Sequence, residues 1–334
     1  MIAGKSKITL QDIATEAGVS MTAASMFLNG KAKKYKIADA TCKRIEEAIK
    51  KNNFVPNVLA RAIASKKTLM IGVITDGIEN SFWANILEGI EEVIVKNNYH
   101  MLLSTSKYDY VSKEEMFTFM NSKGVDGFIF SPVIRKEEKK PDWKFVYKIS
   151  EKKPVISLTI PFKGLPSVYN DNVEGGRLAA QYLMNKGHRK IAFTGRIGDA
   201  FSRGESFINE LRKNGVEAPV YRTVDDFIRD AKKYTAVFCF SDFVLLELYG
   251  KAAEHGIKIP DDLSVIGYDN MDFLKFLSPR PASVHQYKKE LGISAAELLM
   301  EILKEKYSPE NPPSEKVFKP VLSEGKSVKN LTRE

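Results

Sequence analysis

The sequence predicts an all-α N-terminal head followed by an α/β core of two doubly wound parallel-sheet subdomains. Three observations carry this expectation. Positive charge is concentrated at one end: residues 1–67 hold 13 Lys/Arg and 5 Asp/Glu, a net of +8, whereas the other 267 hold 38 and 37, a net of +1. The same basic region places apolar residues at helical spacing, which solvated charged tails lack. From residue 69 onward, short apolar runs alternate with amphipathic stretches in two successive series, the pattern of parallel sheets covered by helices on both faces.

The totals set outer limits. A chain of 334 residues has room for two or three compact units. No apolar run reaches the roughly 18–20 residues of a membrane span, and MIAGKSKITLQDI lacks the apolar core of a secretory signal. Cys42 and Cys239 are far apart in sequence and form neither a disulfide framework nor a metal motif. A cytoplasmic protein is expected, with no membrane partner and no cofactor.

The head begins at Thr9, an N-cap with Asp12 at the third helical position, a short-chain capping box. Leu10, Ile13, Ala14 and Ala17 form one inward face. Gly18 supplies the turn, and Ser20 caps a second helix. There Ala23, Ala24, Phe27 and Leu28 point inward, leaving Met21, Thr22, Ser25, Met26 and Asn29 outside. A third helix is expected from about Asp39 to Lys51, with Ile45, Ala48 and Ile49 inward. Two short helices around a tight turn on a basic segment are the footprint of a helix-turn-helix, whose second helix enters a major groove. Helical hairpins of this shape also occur as plain packing units.

TLQDIATEAGVS, Asn29, and NNFVPNVLARAIA at 52–64 closely resemble the opening of the LacI/GalR family of bacterial transcription regulators. The resemblance implies a head over 7–55, a hinge helix and linker over 56–67, and an effector-binding core over 68–330. It places Met21, Thr22, Ser25 and Met26 on the base-reading face, and Thr9, Ser20, Asn29, Asn57 and Arg61 among the DNA contacts. It also implies that Pro56–Ser65 folds into a helix only on DNA, where Ile63 would wedge into a minor-groove base step. This chain departs from the pattern at several positions. Met26 stands where the family has Arg, Ile63 where it has Leu, and Ala38 where it has Ser. Met offers only apolar contact to a base edge. The loop GKAKKYK is unusually long and basic, and its Lys31, Lys33, Lys34 and Lys36 suit phosphate contacts.

In the body, LMIGVIT (69–75), HMLLSTS (100–106), GFIFSP (127–132) and PVISLT (154–159) read as one series of strands. KIAFTG (190–195), PVYRTV (219–224), TAVFCFSD (235–242) and SVIGYDN (264–270) read as a second. Ligands of open α/β sheets bind at the carboxyl ends of strands. Those ends carry Asp76, Phe82 and Trp83 in the first series, and Arg203, Phe240, Ser241, Asp242 and Asp269 in the second. An aromatic face, a guanidinium and carboxylates match a polyhydroxylated ligand. The family resemblance agrees and implies a periplasmic-binding-protein-like core. Its chain crosses between subdomains near Val168, His285 and Phe318 (one subdomain over 68–167 and 285–315, the other over 168–284 and 316–330). The resemblance puts Arg203 and Asp269 in contact with effector, and Phe82–Trp83 beside it. Each residue also has a structural reading: Trp83 as core or subunit interface, Phe240 as strand core, Arg203 as an ion pair, Asp269 as a helix cap. Asp242 reads first as a cap for the helix that follows it, and His188 as a structural residue.

An enzyme on a doubly wound fold would need chemistry that the sequence does not contain. It has no G-x-G-x-x-G, no P-loop and no nucleophile elbow, and His100, His188, His255 and His285 are not spaced as a metal pair. The family resemblance implies the expected function, a repressor that binds a pseudo-palindromic operator in double-stranded DNA as a homodimer, controlled by a small-molecule effector, a carbohydrate. Activation or co-repression by the same sensor is the alternative, and a head reduced to non-specific binding is a further one.

Overall fold

The computed structural model describes residues 8–54, 67–78, 81–105, 112–132, 142–197, 203–305 and 314–332. The chain divides into two compact units, Met1–Thr68 and Leu69–Glu334.

The first unit contains α1 (Leu10–Glu16), α2 (Met21–Leu28) and α3 (Asp39–Lys51). Local chemistry fixes its ends. The Thr9 hydroxyl oxygen accepts from the Asp12 amide, and the Asp12 carboxylate accepts from the Thr9 amide at 2.8 Å, so the capping box forms. Gly18, at φ +65, closes α1 while Val19 N–H donates to the Ala14 carbonyl at 2.9 Å. This is the left-handed cap that glycine favours. Two residues later the Ser20 hydroxyl accepts from Ala23 N–H and opens α2. Helix α3 starts at Ala38 with no side-chain cap, a consequence of the missing hydroxyl. Ile13, Ala17, Ile45 and Ala48 form the buried core, with Phe27 and Ile49 packed against it.

The second unit has two six-stranded sheets. The first contains β1 (Met70–Thr75), β2 (His100–Thr105), β3 (Gly127–Phe130), β4 (Val155–Leu158), β5 (Ser167–Asn170) and β11 (Glu315–Phe318), all parallel, in the order β11-β5-β4-β3-β1-β2. On one face lie α4 (Ser81–Lys96) and α11 (Lys288–Lys304), and on the other α5 (Lys113–Ser122) and α6 (Lys144–Ser150). The second sheet contains β6 (Ile191–Thr194), β7 (Val220–Tyr221), β8 (Ala236–Cys239), β9 (Ser264–Asp269), β10 (Ala282–His285) and the antiparallel β12 (Val321–Ser323). Its two faces are covered by α7 (Asn172–Asn185) with α8 (Arg203–Lys213), and by α9 (Val224–Asp230) with α10 (Asp242–Glu254). Burial on both faces explains why β1, β3, β4, β6, β8 and β9 read as near-continuous apolar runs. No described helix is long and apolar enough to cross a membrane.

The chain passes from the first sheet to the second after Asn170, returns after His285, and passes again between Phe318 and Val321. Residues 168–170 and 316–318, placed with the second subdomain by the sequence reading, pair within the first sheet. The apolar pattern marks a strand but not the sheet in which it finds partners. Both β5 and β10 end at crossovers, so the carboxyl ends of the two sheets face each other.

Candidate DNA-binding head and ligand cleft

On α2, Met21 is 51% exposed, Thr22 is also exposed, and Ser25 and Met26 are half-buried. These four residues form the outward face of the helix, opposite Ala24. The loop lysines Lys31, Lys33, Lys34 and Lys36 are all exposed. Three other expected contacts are engaged locally. Thr9 and Ser20 use their hydroxyl oxygens as caps, and Asn29 donates its side-chain amide to the Ser25 carbonyl at 2.8 Å. Asn57, Arg61 and Ile63 lie outside the described residues.

In the second unit the strand ends build a buried polar site around Asp269. This residue closes β9 at φ +107, and Asn270 follows at φ +49, two successive residues in the sterically costly left-handed region. Its Oδ1 accepts from Arg203 Nη1 at 3.1 Å and from Gln286 Nε2 at 2.5 Å. Gln286 Oε1 accepts from Asn170 Nδ2 at 3.0 Å, and Asn170 Oδ1 accepts from Tyr287 N–H at 3.3 Å. The buried Lys288 ammonium donates to the carbonyls of Asp269 (2.6 Å), Asn270 (3.2 Å) and Gln286 (3.4 Å), which holds the strained turn. Asp269 is thereby bonded, through buried groups, to two of the three crossovers.

Arg203, the first residue of α8, lies with its guanidinium 3.8 Å above the Tyr268 ring and 4.9 Å from that of Phe240, and it donates to the Phe240 carbonyl at 3.2 Å. It can sit there because Gly176 of α7 has no side chain: a Cβ at that position would lie 2.1 Å from the Arg203 carbonyl oxygen. Asp269 is neither a helix cap nor an exposed acceptor. Burial pushes its carboxyl up, and the Arg203 charge and the Gln286 donor pull it back. Arg203 forms the ion pair of its structural reading, with Asp269 at 3.1 Å.

The cap of α10 is Ser241, whose hydroxyl accepts from Val244 N–H. Asp242, expected as that cap, is instead fully buried. Its two oxygens accept from Met271 N–H at 2.7 Å and the Ser283 hydroxyl at 2.8 Å, tying β9 to β10. Burial and the nearby Asp269 charge push its carboxyl up to about 8. On the opposite wall Asp76 accepts from the Ser131 hydroxyl at 3.2 Å and pairs with Lys113 at 3.5 Å, whose side chain is buried. Phe82 is half-buried, but Trp83 is 7% exposed and belongs to the core with Ile86 and Ile90. It therefore offers no free ring face. A depression of about 230 Å³ beside Asn170, Thr159 and Asn172 opens on the crossover side. His188 is structural, bonded to Thr235 and the Lys329 carbonyl.

Asn170, Gln286, Lys288 and Tyr268 were not among the expected residues. Asn170 ends the strand SVYN and Gln286 follows the strand ASVH, neither of which the apolar pattern marked. Polar residues at those strand ends were the available signal.

Residues 9–57 match the family described as bacterial regulatory proteins, lacI family, and residues 180–328 match a periplasmic binding protein-like domain. The HTH-type transcriptional repressor PurR of Vibrio parahaemolyticus is 31% identical over 315 residues, covering 89% of this chain and 92% of that one. A LacI family transcriptional regulator from Enterococcus faecalis, solved with bound ribose, is 28% identical with a TM-score of 0.67, covering 78% of this chain and 99% of its own. The lac repressor dimer bound to operator has the same fold, with a TM-score of 0.80 at 20% identity over 96% of this chain and 99% of its own.

Proposed function

The chain belongs to the lacI family of bacterial regulatory proteins, and we propose that it represses transcription by binding a pseudo-palindromic operator under the control of a small polyhydroxylated effector. The observation that carries the reading is the pairing of an exposed recognition face on α2 with a separate cleft unit built on Arg203 and Asp269. Met21, Thr22, Ser25 and Met26 read bases, and the loop lysines hold phosphates. The segment 56–65 serves as the hinge and Ile63 as its wedge. The protein acts in the cytoplasm as a regulator, without catalysis.

A sugar suits the cleft because Arg203 supplies donors, the carboxylates of Asp269 and Asp76 supply acceptors, and Phe240 and Phe82 supply apolar rings. The ribose bound by the Enterococcus faecalis relative supports this class of ligand. Closing two sheets around a ligand rotates the backbone at the crossovers. Here Gln286 and Asn170 connect those crossovers to the Asp269 carboxylate. Effector occupancy and crossover geometry would be linked through these hydrogen bonds, and a coupling of about 1–3 kcal/mol is the usual scale for such a switch. A homodimer matches a two-fold operator. The exposed Phe243, Leu246 and Phe276 give the second subdomain an apolar face for the mate.

The test is to incubate the protein with sheared genomic DNA at about 0.15 M salt, where phosphate-only binding is weak, and sequence what is retained. A shared short pseudo-palindrome is expected, released or tightened by one member of a sugar panel. Retention with no shared motif, with or without the panel, overturns the reading.

A further inference from the structure

β6 and β8 are parallel neighbours, and just past their carboxyl ends stand Arg196 and Phe240. Two guanidinium groups lie against the Phe240 ring, that of Arg203 at 4.9 Å from its centroid and that of Arg196 at 5.8 Å. What neutralises each differs. Arg203 is 13% exposed and paired with Asp269. Arg196 is exposed, and among the described residues no carboxylate lies within ion-pair distance of it. Among the described residues, the other carboxylates near these strand ends are already engaged. Asp76 is paired with Lys113, Asp171 caps α7, Glu174 pairs with Arg177, and Asp242 is buried between Met271 and Ser283.

A neutral polyol needs donors and acceptors, and the Arg203–Asp269 pair supplies both with no net charge. It gives no reason for a second, uncompensated guanidinium on the same ring. The exposed Arg196 guanidinium beside that neutral pair has no counter-charge among the described residues, and a planar guanidinium is well matched to a two-oxygen partner. We propose that the effector carries an oxyanion group, a phosphate ester or a carboxylate, and that Arg196 at the mouth of the cleft binds it while Arg203 and Asp269 hold the hydroxylated part. This rests on the cleft being the effector site.

The probe is inorganic phosphate, titrated into the full chain at constant ionic strength near 0.15 M so that general screening does not change. Tryptophan fluorescence reports the core, since Trp83 and Trp143 lie there and the head has none. Saturable binding is expected, weakened about tenfold or more by Arg196→Ala, the scale of losing one charge-assisted hydrogen bond. Arg196→Lys retains part of it. Lys33→Ala/Lys34→Ala leaves it unchanged, which separates the cleft from the basic loop of the head. No saturable binding, or binding that Arg196→Ala leaves intact, overturns the proposal. D-ribose and D-ribose 5-phosphate are then compared. A preference for the phosphate that collapses in Arg196→Ala supports the proposal, and equal binding of the two overturns it while leaving the cleft assignment standing. If ribose 5-phosphate binds through Arg196 but no ligand alters operator retention, the regulatory reading fails and the anion site does not.

Discussion

Replacing Arg203 by Ala tests the centre of the cleft. The variant removes a guanidinium that is 13% exposed from a carboxylate that is 9% exposed, so solvent screens the pair little. It also removes the donor to the Phe240 carbonyl and the cation above Tyr268. Leaving a buried charge without its partner costs about 3–5 kcal/mol, and the other two losses overlap with that figure and are not added to it. The structure supplies an internal control. Asp269 is already raised by burial, and loss of Arg203 raises it further. A carboxyl whose folded value lies above its unfolded value makes stability fall as pH rises through that interval. The deficit of Arg203→Ala relative to the parent protein is therefore larger at pH 8 than at pH 5. Adding Asp269→Asn removes the orphan charge and recovers more than half of the loss at pH 8. Urea titration followed by tryptophan fluorescence gives all three numbers. A deficit equal at both pH values, or one that Asp269→Asn does not reduce, refutes the argument that Asp269 is held charged by Arg203.

Two further variants probe the supports of the site. Asp242, raised to about 8, keeps in the folded protein a proton that the unfolded chain has released between about pH 4 and 8. Stability therefore falls as pH rises across that window, by up to about 1.4 kcal/mol per pH unit; Asp242→Asn flattens the urea-midpoint profile, and an unchanged slope contradicts the assignment. Gly176→Ala places a Cβ 2.1 Å from the Arg203 carbonyl oxygen and 2.9 Å from Phe207 N, forcing α7 and α8 apart at a cost of about 1–3 kcal/mol and displacing Arg203. Its urea midpoint falls and its effector affinity weakens together, whereas an unperturbed midpoint shows that the helix pair tolerates the methyl group.

Much of this protein follows from short-range chemistry. The head is written in interactions three to five residues apart, such as Thr9 with Asp12, Ser20 with Ala23 and Ala14 with Val19, and a sequence displays those directly. The eight apolar runs all fold as strands, six of them buried between covering helices, and Arg203 and Asp269 were legible as candidates because strand ends carry chemistry. Tertiary structure decided what remained. Trp83 sits in a core that forms only when α4 meets α11, and the helix cap fell to Ser241 because the Asp242 carboxylate is used by β9 and β10. The relay from Asp269 through Gln286 to Asn170 includes a pair 116 positions apart, at the ends of β10 and β5, whose apolar runs are too short to announce themselves. Caps and periodicity are local and survive in one dimension. Which sheet a strand joins, and which buried polar groups meet at a crossover, depend on partners that only the folded chain brings together.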